Sequence, residues 1–438
     1  TDSTHPSDSA DPGQADGCSL GQNPNPLATK NCVKQAGCRW NGSQDDGRFG
    51  QTAHIGGDID GDGLPDWVIG APSEDEAYGE EGTSLDVGVV YIYRGSQRMQ
   101  TTPVIGQLVG SSTSANLGYA LAIVPDLNGD GMDELVAGGR GTHTSEWMSA
   151  GEVQILFGKT DGWDEPIQTA DLVWTGEQEM ARAGSTVAGL GDINGDGFGE
   201  LAVATNQRTT NAYGYEQSNS GTVALFLGQE DFSGYTGLSD ASAAISGVGS
   251  MDSAGHAIAA DDLNGDGYQD LIIAAPNGNS NTGRVVVFSG SASPISGESS
   301  IDDAPISFTG SDYGDAYGWS VATGDLNNDA IAELVVGAPK ADDATPDAGT
   351  VHIMLGSPDF FDAPVDTAHR ITGEWDDHKL GSSVLAGIDI NGDGTGDLLM
   401  GAIGAWHGLV TKGGRVYTMH GPSNEWSAST SAATSNLQ

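Results

Sequence analysis

Oxygen-bearing side chains recur at a fixed spacing in six short loops of the 438-residue sequence. Each loop has a carboxylate or carboxamide at its first, third, fifth and ninth positions. Calcium takes six to eight hard oxygen ligands, at roughly 2.3–2.6 Å, in a flexible shell. Because alternate residues of a tight loop can turn their side chains inward, this spacing predicts up to six calcium ions.

Each loop offers four side chains and, at position seven, one main-chain carbonyl. The predicted ligands are Asp58, Asp60, Asp62, Leu64 and Asp66; Asp126, Asn128, Asp130, Met132 and Glu134; Asp192, Asn194, Asp196, Phe198 and Glu200; Asp262, Asn264, Asp266, Tyr268 and Asp270; Asp325, Asn327, Asp329, Ile331 and Glu333; and Asp389, Asn391, Asp393, Thr395 and Asp397. The carboxylate at position nine is predicted to bind in a bidentate manner. Because no Cys or His takes part, the donor set argues against zinc.

Two other interpretations of these loops are weaker. An EF-hand needs its bidentate Glu at position twelve, between helices, whereas position twelve of the first loop is Ile69, in an apolar run. A single Asp-Gly loop would be an ordinary hairpin turn, but six copies in register favour metal binding. Gly at position six permits the sharp turn. The fifth loop has Ala330 there and is expected to be the weakest site.

The loops recur about every 65 residues, which indicates one repeated unit. Each repeat contains four strand-like runs bounded by Gly or Asp turns, the make-up of a propeller blade. The abundance of glycine, 67 residues, also argues against a helical protein. The sequence therefore predicts an all-β, six-bladed propeller of four-stranded antiparallel blades over residues 38–421.

The phase of the repeat predicts how the ring closes. The glycine that ends a fourth strand precedes the first glycine of the next repeat by eight residues, as Gly110 precedes Gly118. No such run follows Gly421 in the sixth repeat, but residues 38–42 end eight residues before Gly50. We therefore expect this N-terminal strand to complete the last blade, which removes exposed sheet edges.

The flanking segments have a different composition. Residues 1–17 are rich in Ser, Asp, Pro and Gly and are predicted to be disordered, and residues 422–438 form a polar tail or linker. Residues 18–37 form a Cys-containing lead-in. Cys18, Cys32 and Cys38 make one disulfide at most, which leaves a thiol free or paired with another chain. The chain begins at Thr1, so we expect a removed leader and a secreted or cell-surface location.

The charge balance excludes several classes of partner. Sixteen Lys and Arg against 61 Asp and Glu give a net charge of −45. Nucleic acid needs clustered basic residues, and an anionic bilayer repels so acidic a chain. The sequence also contains no run of 18 apolar residues, so we expect no membrane insertion. Cations are the partners that this charge favours.

Phe49-Gly50, Gly70-Ala71-Pro72 and Gly337-Ala338-Pro339 accompany the acidic loops. Over residues 38–421 the sequence resembles the FG-GAP repeats of the integrin α-subunit propeller and its bacterial relatives. The resemblance implies calcium in the loop between the first and second strands of a blade, with partners at the opposite face. Integrin propellers have seven blades, so a seven-bladed ring is the alternative to the six repeats counted here.

No catalytic constellation is evident. The His residues are scattered, and neither a G-x-S-x-G elbow nor a P-loop occurs. We therefore expect no enzyme but a binding module for adhesion or assembly. Its partner would be an extracellular protein or glycan, bound through the face opposite the calcium loops. The alternative is the propeller domain of a polysaccharide-degrading or phosphoester-cleaving extracellular enzyme. The aromatic and acidic segments at residues 311–318 and 373–381 and the acidic insert at residues 73–86 are the candidate contact regions.

Overall fold

The computed structural model describes residues 42, 44, 46–75, 85–95, 104–163, 166–206, 209–210, 216–362, 369–405, 413–421 and 430–431. The predicted N-terminal strand, the three cysteines and most of the acidic insert lie outside these residues. Within the described part, no helix combines the length and apolarity that a membrane crossing requires.

Short runs of β-branched and apolar residues form the strands, which are numbered in chain order. The first sheet contains β1 (Thr52–Ile55), β2 (Trp67–Ala71), β3 (Val89–Tyr93) and β4 (Val104–Val109); the second contains β5 (Leu117–Val124), β6 (Glu134–Gly139), β7 (Glu152–Leu156) and β8 (Leu172–Thr175); and the third contains β9 (Thr186–Gly191), β10 (Glu200–Thr205), β13 (Thr222–Phe226), β14 (Ala243–Ser246) and β18 (Gly297–Ser300). A separate hairpin pairs β11 (Thr209–Thr210) with β12 (Glu216–Gln217).

The remaining three sheets follow the same plan. The fourth contains β15 (Ala257–Asp261), β16 (Asp270–Ala275), β17 (Arg284–Phe288) and β19 (Ile306–Thr309); the fifth contains β20 (Ser320–Gly324), β21 (Glu333–Ala338), β22 (Thr350–Met354), β23 (His369–Thr372) and β27 (Thr430–Ser431); and the sixth contains β24 (Leu380–Ile388), β25 (Asp397–Ala402) and β26 (Arg415–Met419). In the described residues the helical segments are single turns, at Leu238–Asp240, Gly278–Asn281 and Ile301–Asp303.

In five of the six sheets the four strands of the repeat pair in chain order and antiparallel, and the three described strands of the sixth sheet do the same, so the predicted all-β architecture of antiparallel sheets is confirmed. The third and fifth sheets gain a fifth strand that the sequence did not predict. Here β18 pairs parallel with β14, and β27 pairs parallel with β23. Within the described residues the sixth sheet has three strands. The six-bladed ring closed by the N-terminal strand stays a prediction, because the closing residues are not described.

The core lies between neighbouring sheets. The second and third strands of most sheets are buried along their whole length, and the inner strands β5, β9, β15, β20 and β24 contact one another in succession. Between the second and third sheets, Trp174 stacks on Phe226 with ring centroids 4.3 Å apart. Burying a large apolar side chain contributes about 1.5–3 kcal/mol, so these layers hold the sheets in a propeller-like stack.

The turn at residues 42–50 has the conformation of the turns that join later sheets. Asp46, Arg48 and Gly50 have φ of 61°, 57° and 82°, and the corresponding residues of turn 110–118 have 62°, 55° and 84°. A Cβ at Gly42 would lie 2.7 Å from the Cβ of Phe49, against 3.0 Å for the equivalent pair in turn 310–318. The eight-residue interval in the sequence is therefore a structural repeat.

His352 in β22 couples stability to pH. It is 6% exposed, and its ring meets the ring of Tyr317 edge-on at 5.0 Å. Burial, and secondarily the charge of Arg370, lower the pKa of His352 from 6.5 to about 4. The unfolded chain therefore binds a proton between these pH values that the folded chain does not. The free energy of unfolding is retained above pH 6.5 and falls as the pH is lowered towards 4.

We expect this histidine to lower the free energy of unfolding at pH 5 by on the order of 2 kcal/mol relative to pH 7. In urea unfolding, the free energy of unfolding of the His352→Leu variant should fall between pH 7 and pH 5 by about 2 kcal/mol less than that of the parent. A matched His143→Leu variant, which changes an exposed histidine, should keep the parent's sensitivity. Equal acid sensitivity in the parent and the His352→Leu variant would contradict the assignment.

Candidate metal centre

Every acidic loop joins the first strand of its sheet to the second, at the same end of the sheet. The first loop, for example, runs from the end of β1 to the start of β2. Because neighbouring strands are antiparallel, all six loops lie at one end of the stack. The connections from the second to the third strand lie at the other end.

The carboxylate at position one organises each loop. It accepts a hydrogen bond from the main-chain N–H at position six in all six loops, over 2.7–3.0 Å. The donors are Gly63, Gly131, Gly197, Gly267, Ala330 and Gly394. Likewise, the carboxylate at position five accepts from the N–H at position seven over 2.9–3.0 Å. These bonds turn the polar side chains towards the inside of the loop.

Two positions of each loop need a left-handed backbone. Position four and position six have positive φ in every loop, and glycine adopts this conformation without strain. Only position six is predictable from the turn that the spacing requires. The fifth loop departs at both, with Asn328 at φ 64° and Ala330 at φ 69°. Asn tolerates this region, whereas Ala is strained there by about 1 kcal/mol, which supports the expectation of a weaker fifth site.

The carboxylate at position nine is fully buried in all six loops. One of its oxygens accepts from the main-chain N–H at position two over 2.5–3.0 Å. The other oxygen accepts from a glycine after the third strand in three sheets; the pairs are Gly95 with Asp66, Gly290 with Asp270, and Gly421 with Asp397. These hydrogen bonds fix the position-nine side chain beneath the loop.

Buried oxygens without partners give the loops the chemistry of a cation site. Glu134 Oε1, Glu200 Oε1 and Asn327 Oδ1 are inaccessible to solvent and make no hydrogen bond of normal geometry, although the N–H groups of Gly158 and Gly228 lie near the two glutamates. A buried polar atom of this kind is costly unless a ligand satisfies it. All the donors are hard oxygens, which fits calcium.

The electrostatics of the ninth position point the same way in five of the six loops; the exception is the sixth, where the pKa of Asp397 is lowered, with hydrogen bonds from Ile390, His420 and Gly421 outweighing burial. Burial, reinforced by the neighbouring acidic residues of the loop, raises the pKa of Asp66 to about 6, of Asp270 and Glu333 to about 7, and of Glu134 and Glu200 to about 8. Main-chain N–H groups oppose this shift only in part. A bound cation would reverse it, because it stabilises the ionised form.

The structure brings two sets of predicted ligands together most tightly. Carboxylate oxygens of Asp58, Asp60 and Asp66 lie within 4.8 Å of one another, as do those of Asp192, Asp196 and Glu200. In the fifth loop Asn327 instead donates its Nδ2 to Glu333 Oε1 over 2.8 Å. The carbonyls at position seven, including Leu64, stay predicted ligands.

Two basic residues near the loops were not predicted from the sequence. Arg94 forms an ion pair with Asp60 in the first loop, and His420 Nδ1 lies 3.2 Å from Asp397 Oδ1 in the sixth. Each stands immediately before the glycine that follows the third strand of its sheet. Alignment of the six repeats at that glycine would have revealed them.

Neighbouring loops contact one another through both main chain and side chains. The carbonyl of Ile59 accepts from the N–H of Lys159 in the second sheet over 2.9 Å, and that of Leu127 from Gln229 in the third sheet over 3.0 Å. In the first five loops the residue at position seven of one loop also packs on the glycine at position four of the loop before. A Cβ at Gly129 would lie 2.3 Å from the ring of Phe198.

The comparisons with known proteins agree with this repeat geometry. A family model described as FG-GAP repeat matches residues 49–93, 183–226, 254–288, 317–354 and 380–419. Each match begins at or near the glycine before a first strand and ends in the third strand. The second sheet has the same strand order without a match.

Several integrin α chains are similar in sequence. Integrin alpha-5 of Xenopus laevis is 29% identical over 246 residues, which cover 53% of this chain and 20% of the relative. Integrin alpha-V of Gallus gallus is 30% identical over 242 residues, with the same coverage. Integrin alpha-PS5 of Drosophila melanogaster is 34% identical over 160 residues, or 34% of this chain and 15% of the relative.

The matched region thus spans a fifth or less of each of these relatives. The five matched repeats and the six sheets built on one plan nevertheless agree on the kind of repeat. The chain belongs to the FG-GAP repeat family and is similar to integrin α subunits.

Proposed function

We propose that this chain is a secreted or cell-surface, calcium-stabilised binding module. The observation that carries the calcium assignment is the carboxylate at position nine, which is fully buried in all six loops and in Glu134 and Glu200 has one oxygen without a hydrogen bond of normal geometry. Up to six ions bind, one in each loop. The residues named in the sequence analysis hold them, and the ions replace the repulsion between the carboxylates of a loop with attraction.

The binding face is the end of the stack opposite the calcium loops. Large apolar side chains are exposed there in the connections between sheets and between second and third strands. Tyr313 is 82% exposed, Met148 65%, Met251 54% and Trp375 43%. Each of these side chains offers apolar surface to a partner, and loops on a rigid scaffold commonly carry recognition. An extracellular protein or glycan is the proposed partner.

These connections are held firmly enough to present the side chains. In the five turns that join one sheet to the next, the fifth residue donates its N–H to the connection between the second and third strands. Met180 donates to the carbonyl of Met148 over 2.8 Å, Gly314 to that of Asn281 over 2.7 Å, and Asp377 to that of Pro346 over 2.8 Å. Preorganised loops lose less entropy on binding.

The acid and base groups of this face are engaged in structure, which favours binding over catalysis. Asp315 accepts from the N–H of Asp312 over 2.9 Å. His378 is fully buried, accepts from the N–H of Glu374 over 3.0 Å, and meets Tyr417 Oη at 2.9 Å. A polysaccharide-degrading or phosphoester-cleaving activity is therefore the second candidate.

Truncation of the exposed aromatics tests the binding face. Arrays of glycans and extracellular-matrix proteins, probed with and without calcium, identify a ligand first. Tyr313→Ala and Trp375→Ala should then each weaken binding by about fivefold or more, the loss typical of a central interface residue. Val173→Ala, at an exposed residue of β8, is the matched control and should bind like the parent.

Calcium stoichiometry, measured in parallel, should be unchanged in all three variants, because none of these residues lies in an acidic loop. Full binding by both aromatic variants would contradict the assigned face. Turnover of a polysaccharide or phosphoester that disappears in Asp315→Asn or Asp377→Asn would establish the second candidate instead.

A further inference from the structure

Arg94 gives the first acidic loop a cation of its own. It follows β3 directly, and its Nε contacts Asp60 Oδ2 and lies 3.9 Å from Asp62 Oδ2. The side chain of Asp60 is fully buried, whereas that of Arg94 is 41% exposed. The guanidinium therefore reaches from the solvent side towards two of the predicted calcium ligands.

The internal repeats show that this arrangement is particular to the first loop. Position three is Asp60 in the first loop and Asn in the other five. In four of those loops the Asn Nδ2 donates to the carboxylate at position five over 2.8–3.0 Å; the pairs are Asn128 with Asp130, Asn194 with Asp196, Asn264 with Asp266, and Asn391 with Asp393. The Asp60 side chain has no N–H to donate.

The residue that precedes the glycine after the third strand changes together with position three. It is Arg94 in the first repeat and Phe157, Leu227, Ser289, Leu355 or His420 in the others. The one repeat with an additional carboxylate thus also has a guanidinium in contact with it. Positive charge between Asp60 and Asp62 replaces the amide hydrogen bond that joins positions three and five elsewhere.

We propose that Arg94 is a built-in counter-cation of the first loop, which competes with calcium for Asp60 and Asp62. The first loop then stays assembled without calcium and binds the ion more weakly than its four carboxylates alone would. Among the loops that lack an internal guanidinium, the fifth remains the one expected to bind least tightly. The inference rests on the proposed calcium binding.

Removal of the guanidinium is the direct test. Calcium binding to the chelator-treated full chain is measured by equilibrium dialysis over a range of free calcium, for the parent and for Arg94→Leu. Leucine is the natural residue at this position in the third repeat. We expect one site to gain about fivefold or more in affinity, the change that removal of one charge near 4 Å gives in water.

Two further variants make the result specific. Arg370→Leu breaks an ion pair with Asp343, 3.1 Å apart and remote from the loops, and should leave every calcium affinity unchanged. Arg94→Leu combined with Asp60→Asn restores the composition of the other loops and should bind as they do. A second readout is thermal melting in chelator, where Arg94→Leu should melt below the parent although the two melt alike in calcium.

The possible results distinguish failure of this inference from failure of the proposed calcium binding. A parent chain that binds no calcium at all removes the proposed calcium role. A parent that binds calcium at the other loops, with equal affinities in Arg94→Leu or with one site lost in that variant, overturns the inference alone. Loss of a site would mean that Arg94 holds Asp60 in place for the ion.

Discussion

Removal of calcium is expected to lower the thermal midpoint of the chain by about 10 °C or more. Each loop holds three or four carboxylates that repel one another when no ion is present, and the one at position nine is fully buried. An ion that binds only the folded state stabilises it by about 2.7 kcal/mol at a hundredfold excess over Kd. Several such sites act together, so the effect is large.

Scanning calorimetry in excess chelator and in millimolar calcium measures this shift. Asp270→Asn, which changes a buried proposed ligand of the fourth loop, should lose a share of the calcium-dependent rise in the thermal midpoint. Asp302→Asn, which changes an exposed acid outside the loops, should keep all of it. Identical midpoints with and without chelator, with elemental analysis showing that the ions had left, would refute a stabilising role for calcium.

Deletion of residues 1–46 is expected to open the sixth sheet and make the chain self-associate. The third strand of that sheet, β26, is more exposed than the third strands of the other sheets, and Val416 on it is 66% exposed. A fourth strand supplied by residues 38–41 would cover this edge. Unpaired edge strands recruit other chains, so the truncated protein should form oligomers and melt at a lower temperature.

Light scattering coupled to size exclusion reports the association. Deletion of residues 1–41 sharpens the test, because it keeps Gln44, whose side chain bonds the main chain of Asp75 over 2.8 and 2.9 Å. It should behave like the longer deletion. Deletion of residues 1–17 alone should change nothing. A chain without residues 1–41 that stayed monomeric and melted like the parent would rule out closure by the N-terminal strand.

Much of the fold was predictable because the same pattern occurs six times, so a strand that is ambiguous in one repeat can be recognised from the others. Six copies of one pattern placed the second strand directly after position nine and the third strand on the alternating β-branched run, as in Arg284–Phe288. The parallel strands β18 and β27 were not predictable in the same way. Their residues are small and polar, and their pairing depends on the edges of neighbouring sheets rather than on their own sequence.

The candidate site was likewise predictable only in part. Spacing within a loop was sufficient to name the side chains at positions one, three, five and nine. Contacts made across the sheet were not visible in that spacing. Arg94 lies 34 residues after Asp60 in the chain. Only the pairing of β2 with β3 brings the two side chains together.

The packing of position seven on the preceding loop makes the row of sites a one-dimensional lattice with nearest-neighbour terms. The Phe198 ring touches Gly129, and the Tyr268 ring would meet a Cβ on Gly195 at 2.6 Å. A loop that tightens therefore restricts the backbone of the loop before it, and the interaction energy enters once per interface. Calcium uptake should then follow an isotherm steeper than that of independent sites, propagating from whichever loop fills first.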